Sequence, residues 1–286
     1  MKKTVKTIPN RATALRDAEE ELAQTSDTAR LDAELLLCET LNISRTHLAT
    51  WPEKGLDEHE HRQYQALIER RSNGEPIAYI LGSQDFWTLE LITTPNVLIP
   101  RPETELLVEA ALERLAEKQS ATIIDIGTGS GAIALSIAKE KPSNTVIGTD
   151  ISKAAISVAA QNKNMNNIDN TYFIHGKWSS NIKNESCEMI VSNPPYIAQN
   201  DQHLTLGDIR FEPNIALVSG KTGFEDIDKI IQDSQRTLKK NGWLLFEHGW
   251  EQGPQSQQKL KQAGYQNVML LKDLNGNDRV SIGQKN

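Results

Sequence analysis

The sequence is short of cysteine, of positive charge and of long apolar runs, and each shortage removes a class of protein. Cys38 and Cys187 are the only two cysteines among 286 residues and stand in unlike contexts. A disulfide scaffold needs more of them, and a cysteine zinc site needs closely spaced ligands, so neither is expected. No run of apolar residues approaches the roughly 20 needed to span a bilayer, and no membrane role is expected. The opening "MKKTVKTIPNRATALRDAEE" is basic but has no apolar stretch behind it, unlike a secretory signal. The expected location is the cytoplasm. Lys and Arg number 31 against 38 Asp and Glu, a net charge of −7. A protein that grips nucleic acid through phosphates needs a basic surface. Direct nucleic-acid binding is therefore not expected, although Arg70, Arg71, Lys239 and Lys240 leave a local patch open.

Histidines are few and poorly placed for chemistry. His175 and His248 end strand-like runs and read as structural, while His59 and His61 fall on different faces of a helix, which does not suit a shared metal. Gly220, Lys221 and Thr222 look like the tail of a P-loop, but Ile215 stands where its first glycine belongs.

What is present suits a globular protein with a substantial core: 38% hydrophobic and 24% charged residues, enough chain for one large or two modest domains. The first 73 residues read as helices. Leu15, Ala18 and Leu22 recur at helical spacing, Leu31, Leu35, Leu36 and Leu37 follow Ser26 and Asp27 as candidate N-caps, and a third helix over 57–73 ends near Gly74. The segment to residue 85 carries 15 Asp and Glu against 11 Lys and Arg, which favours recognition of a protein over a nucleic acid. Trp87, Leu89 and Leu91 then alternate with Thr88, Glu90 and Ile92 as a strand of a β-hairpin. From Glu103 helices and strands alternate, the pattern of a mostly parallel sheet covered on both faces. The expected domains are a helical module over 1–76, a hairpin linker over 77–102 and an α/β domain over 103–286.

Within that α/β pattern, "TIIDIGTGSGAIALSIA" runs from a β-branched strand into an alanine-rich helix. Gly127, Gly129 and Gly131 fill the turn, where residues without Cβ atoms allow tight dihedrals and close approach of a ligand. With Ala132 in the last position the stretch matches G-x-G-x-x-G/A. The next strand ends at Asp150, about the offset at which a carboxylate takes ribose hydroxyls; an N-cap is the competing reading. Loop and carboxylate indicate an adenosine-containing ligand without separating NAD from S-adenosylmethionine.

"SNPPYIAQN" separates them. Asn193 follows a third strand at the same sheet edge, where ligands of doubly wound sheets bind. A planar NH2 group is a poor nucleophile because its lone pair is delocalised. Acceptors aimed at both of its hydrogens favour the tetrahedral state and stabilise the developing positive charge. The Asn193 side-chain oxygen is one acceptor and the Pro194 carbonyl the other. Pro194 and Pro195 stiffen the backbone, and Tyr196 offers a face for a planar group. No general base is needed as the methyl moves, and a nicotinamide enzyme needs none of this.

Taken with "GEPIAYILG", "LIPRPETE", "DIGTGSGAIA", "GDIRFEP" and "EHGW", in that order along the chain, these residues resemble the HemK/PrmC family of peptide chain release factor glutamine methyltransferases. Asn-Pro-Pro-Tyr alone is shared with adenine, cytosine and guanine amino-methyltransferases; the "IPRPETE" and "RFEP" companions narrow it. The resemblance implies a Rossmann-like class I methyltransferase domain behind a small helical substrate-recognition domain. S-adenosylmethionine would lie on Gly127, Thr128, Gly129, Ser130 and Gly131, with Asp150 at the ribose and Trp178 beside the adenine. It would leave as S-adenosylhomocysteine. Asn193, Pro194, Pro195 and Tyr196 would bind the glutamine of the Gly-Gly-Gln motif in class-1 release factors, Asn193 also facing the cofactor. Lys177 departs from the pattern, which has an acidic residue before the tryptophan. Arg101, Glu103 and Arg210 read as struts rather than substrate contacts. The rival readings are a glutamine methyltransferase of a ribosomal protein, an rRNA or DNA amino-group enzyme, and an adaptor without activity.

Overall fold

A computed structural model describes residues 8–286. Residues 1–7, the basic start read above as lacking the apolar stretch of a secretory signal, lie outside the described residues. The chain divides into two compact units, the first ending at Gly82 and the second beginning at Ser83.

The first unit is helical: α1 (Arg11–Leu22), α2 (Ala29–Leu41), α3 (Arg45–Thr50), α4 (Glu58–Ser72) and α5 (Ile77–Leu81). Leu15, Leu22, Leu36, Leu37, Tyr64 and Ile68 close around one apolar core, as the helical spacing requires. Ser26 and Asp27 do not cap α2. Thr28 holds the N-cap position without a side-chain bond, and both hydroxyls are drawn off to Asp32, Ser26 Oγ at 2.7 Å and Thr28 Oγ1 at 2.9 Å. Arg71 Nε meets the same carboxylate at 2.7 Å. A buried charge holds every donor within reach, and here it outbids the helix end.

The second unit opens with the hairpin β1 (Ser83–Phe86) and β2 (Leu89–Ile92). Leu89 and Leu91 are buried and Glu90 exposed, the alternation expected. Trp87 belongs to the turn instead, with φ at +57°; four-residue strands leave it no ladder partner. A 3-10 turn over Pro102–Thr104 leads into α6 (Glu105–Arg114). There follow β3 (Thr122–Ile126), α7 (Ala132–Glu140), β4 (Thr145–Asp150), α8 (Lys153–Met165), β5 (Thr171–His175) and β6 (Cys187–Ser192). Short 3-10 turns and α9 (Asn214–Leu217) precede α10 (Glu225–Thr237), β7 (Leu238–Glu247), α11 (Gly253–Gln262), β8 (Gln266–Lys272) and β9 (Asp278–Gln284). α10 stops at Thr237 because Leu238, fully buried, pairs with Cys187 in the sheet.

Seven strands form one sheet in the order β5-β4-β3-β6-β7-β9-β8, parallel except for β9 against β7 and β8 against β9. Successive residues of β3 face opposite ways. Ile123 joins the core under α6 and α7, while Ile124 and Ile126 join the one under α10. Strand order reverses at β3, and the carboxyl ends of β3, β4 and β6 form the crevice where such sheets bind ligands.

Candidate active site

Three loops meet at that crevice because three parallel strands end there in register, with Ile126 beside Thr149 on one side and Ser192 on the other. In the first loop Gly127, Gly129 and Gly131 all have positive φ, at +72°, +55° and +85°, a region other residues enter at a cost. A Cβ on Gly127 or Gly129 would meet nothing within 4 Å, whereas one on Gly131 would come 3.0 Å from Leu135. The first two glycines present open backbone, and the third packs the loop down. Thr149 O accepts from Gly127 N at 2.8 Å and Thr128 N at 3.0 Å.

Asp150 is not the cap of α8. Ser152 is, accepting from Ala155 N at 3.1 Å. The Asp150 carboxylate accepts from Gly129 N at 2.9 Å and Ser152 N at 2.8 Å, so it ties the glycine loop to the end of β4. Burial raises its pKa, against those backbone donors. Beneath the loop Asp125 is buried outright and pushed up to about 7 by burial, with the Thr128 hydroxyl opposing from 2.6 Å. Asn162 was not anticipated from sequence. Its Nδ2 donates to Ser130 O at 2.9 Å, and its Oδ1 accepts from Ile92 N at 2.7 Å, bracing the loop on the hairpin.

Asn193 leaves β6 half-buried. Its Nδ2 donates to Thr104 Oγ1 at 3.1 Å, which leaves the side-chain oxygen for another partner. The following backbone is held from outside, since Tyr196 O accepts from Gln252 Nε2 at 3.2 Å and Ile197 bridges to Val218. Burial raises the Tyr196 phenol. Nearby, Glu212 has a fully buried side chain. It accepts from Ile99 N at 3.0 Å and pairs with Arg101, so "RFEP" and "IPRP" are stapled together. Burial raises Glu212, and the Arg101 guanidinium counters it.

These loops enclose a cavity of about 300 Å³. Gly127, Thr128, Gly129, Ser130, Asp150, Trp178, Asn193 and Pro195 all line it, together with Arg101 and Thr104. Gly131, Pro194 and Tyr196, expected there, are not among its lining residues. Lys177 lies beside Trp178, and a carboxylate reaches the same wall from another element, Asp226 of α10. Burial raises Asp226, while Lys177 pulls it back. Glu103 does not line the cavity; Arg210 lies over the Phe211 ring, 5.0 Å from its centroid. Among the described residues no group of three or more His, Cys, Asp or Glu side chains is arranged to hold a metal, and no helix is long and apolar enough to cross a membrane.

A sheet of this order, with a glycine loop and a carboxylate at its switch point and Asn-Pro-Pro-Tyr on the adjoining strand, defines a Rossmann-like methyltransferase. A 16S rRNA methyltransferase of Thermus thermophilus, solved in complex with AdoMet and guanosine, shares the fold: TM-score 0.53, 18% identity, over 71% of this chain and 50% of that one. Family models assign residues 13–82 to a PrmC N-terminal domain and 102–212 to a methyltransferase small domain. The chain is 48% identical over 260 residues to the release factor glutamine methyltransferase of Aliivibrio fischeri, covering 91% of each. With that of Vibrio cholerae it shares 45% over 273 residues, 95% of each. The chain belongs to the release factor glutamine methyltransferase family.

Proposed function

We infer that this enzyme transfers a methyl group from S-adenosylmethionine to the side-chain nitrogen of the glutamine in the Gly-Gly-Gln motif of class-1 release factors. When bound, the cofactor supplies an electrophilic sulfonium methyl. The residues fit it: Gly127 and Gly129 offer open backbone that a side chain would fill, Asp150 ends the neighbouring strand, and Trp178 with Lys177 and Asp226 closes the far wall. In this reading Gly127 to Gly131, Asp150 and Trp178 hold the cofactor, with the Asp150 carboxylate at the ribose.

Asn193, Pro194, Pro195 and Tyr196 take the glutamine. The Asn193 oxygen and the Pro194 carbonyl each accept one hydrogen of the substrate NH2, leaving its lone pair free and stabilising charge as it develops. The helical unit, which ends at Gly82 rather than at residue 76, recognises the protein substrate. The single observation that carries the reading is the meeting of Asn193, Asp150 and the glycine loop in one cavity, with the Asn193 amide nitrogen already committed to Thr104. The site is metal-free and acts on protein in the cytoplasm, without direct contact to nucleic acid.

Incubation with methyl-labelled cofactor and a release factor tests this directly. Label should enter the wild-type factor, stay out of its Gln→Ala variant, and be indifferent to a chelator. Equal labelling of both factors, or preferential labelling of a ribosomal protein or of RNA, would give the reading up.

A further inference from the structure

Glu247 ends β7 directly across the rim from Asn193. Strands β6 and β7 run parallel with Ser192 opposite Phe246, so the next residue of each chain faces the other's loop. Its side chain is 1% exposed and does not line the cavity. An ionisable group this deep is costly unless hydrogen bonds compensate. The Thr104 and Tyr196 hydroxyls lie close enough to oppose the effect of its burial, yet neither reaches it at full hydrogen-bond geometry and Oε2 meets no donor, so acceptor capacity is left over. Nothing in the reaction as read above uses this carboxyl.

The count of hydrogens gives it a use. A threonine hydroxyl has one hydrogen to give and lone pairs to accept with. Thr104 Oγ1 accepts from Asn193 Nδ2 at 3.1 Å, so its own hydrogen must go to another acceptor, and the Glu247 carboxyl is beside it. Without that acceptor the hydroxyl can turn its hydrogen toward Asn193. The amide would then gain by rotating half a turn, putting its oxygen on Thr104 and its NH2 toward the cavity. A donor there opposes the hydrogens of the substrate amide instead of accepting one. We propose that Glu247, acting through the Thr104 hydroxyl, is a positioning residue that fixes which end of the Asn193 amide faces the substrate. This inference rests on the reading of Asn193 given above.

Thr104→Val keeps the shape and removes the hydroxyl; Glu247→Gln keeps the size and adds donors. Each should lower kcat on the order of tenfold, the worth of about one hydrogen bond, with cofactor Kd unchanged. Thr104→Ser should restore most of the loss. The double variant should be no slower than the worse single one, because both break the same relay. Thermal melts identify any variant that does not fold; if Glu247→Gln is such a case, the valine and serine variants decide alone. Turnover of Thr104→Val within about twofold of wild type, serine failing to rescue, or losses that multiply in the double variant would overturn the relay. Asn193→Ala, run alongside, separates the two levels: if it keeps normal turnover, the reading of the site falls and the relay with it.

Discussion

At the scale of single residues, the site as proposed above works by aiming lone pairs. Asn193 has one oxygen and one nitrogen to place, and Thr104 takes the nitrogen. Replacing Asn193 with alanine removes one of two preorganised acceptors, and loss of one such partner commonly costs 10²-fold or more. Asn193→Ala is therefore expected to lose about 10²-fold in kcat while cofactor affinity, which the proposed reading assigns to the glycine loop and Asp150, changes little. Initial rates and a cofactor titration on the same preparation check both halves. The spacing of Asn193, Pro194 and Pro195 after an apolar strand is readable in sequence because it is local. Thr104 and Glu247 are not, since they lie 89 residues before Asn193 and on another strand.

At the scale of elements, loops rather than strands carry the chemistry, and a few buried side chains hold them. Asn162 ties α8 to the glycine loop and to β2, and Glu212 ties the segment before α9 to the stretch that enters the 3-10 turn. Glu212→Ala would strand both the Ile99 amide and the Arg101 guanidinium. Breaking a buried pair costs about 3–5 kcal/mol; because Arg101 keeps 33% of its side chain in solvent, a loss of about 2–3 kcal/mol is expected. Urea denaturation measures it, and Glu212→Gln, which preserves an acceptor for Ile99, should lose less. The sequence marks both "IPRP" and "RFEP" as unusual stretches. Nothing in their spacing says that one neutralises the other. The hairpin shows the reverse error: a pattern of period two extended two residues too far, over Trp87 and Thr88, which form the turn.

At the scale of the molecule, the chain forms two units with separate cores. A chain beginning at Ser83 contains the whole sheet, both of its apolar faces and every residue lining the cavity. It is expected to fold and to bind cofactor as the full chain does. Its apparent affinity for the release factor should fall by about tenfold or more, or 1.4 kcal/mol. Circular dichroism, a cofactor titration and KM for the protein substrate test the three statements separately. Charge burial also sets a pH dependence for the whole fold. Asp125 and Glu247 are both pushed up to about 7 by burial, so the folded state holds protons that the unfolded chain releases. Their contribution to stability is complete below the ordinary carboxylate range and is lost as pH rises through about 7. Between about pH 4.5 and 7 this lowers the melting temperature, and Asp125→Asn should flatten the profile. An unaltered slope in that variant would mean that Asp125 does not titrate there.

Periodicity and short motifs settled much of this protein before any coordinates. The helical start, the alternating strands and helices, the glycine turn and Asn-Pro-Pro-Tyr all follow from neighbours within a few residues, where dihedral preference and burial periodicity act directly. Helix ends are less legible where a distant partner competes, as Arg71 does by burying the Asp32 that draws in Ser26 and Thr28, and as Cys187 does for Leu238. Which loops face one another depends on strand order. A sheet that runs β4-β3-β6-β7 brings together residues that no sequence interval relates. Only the folded chain could put Asp226, Glu212, Thr104 and Glu247 around the crevice that Asn193 enters.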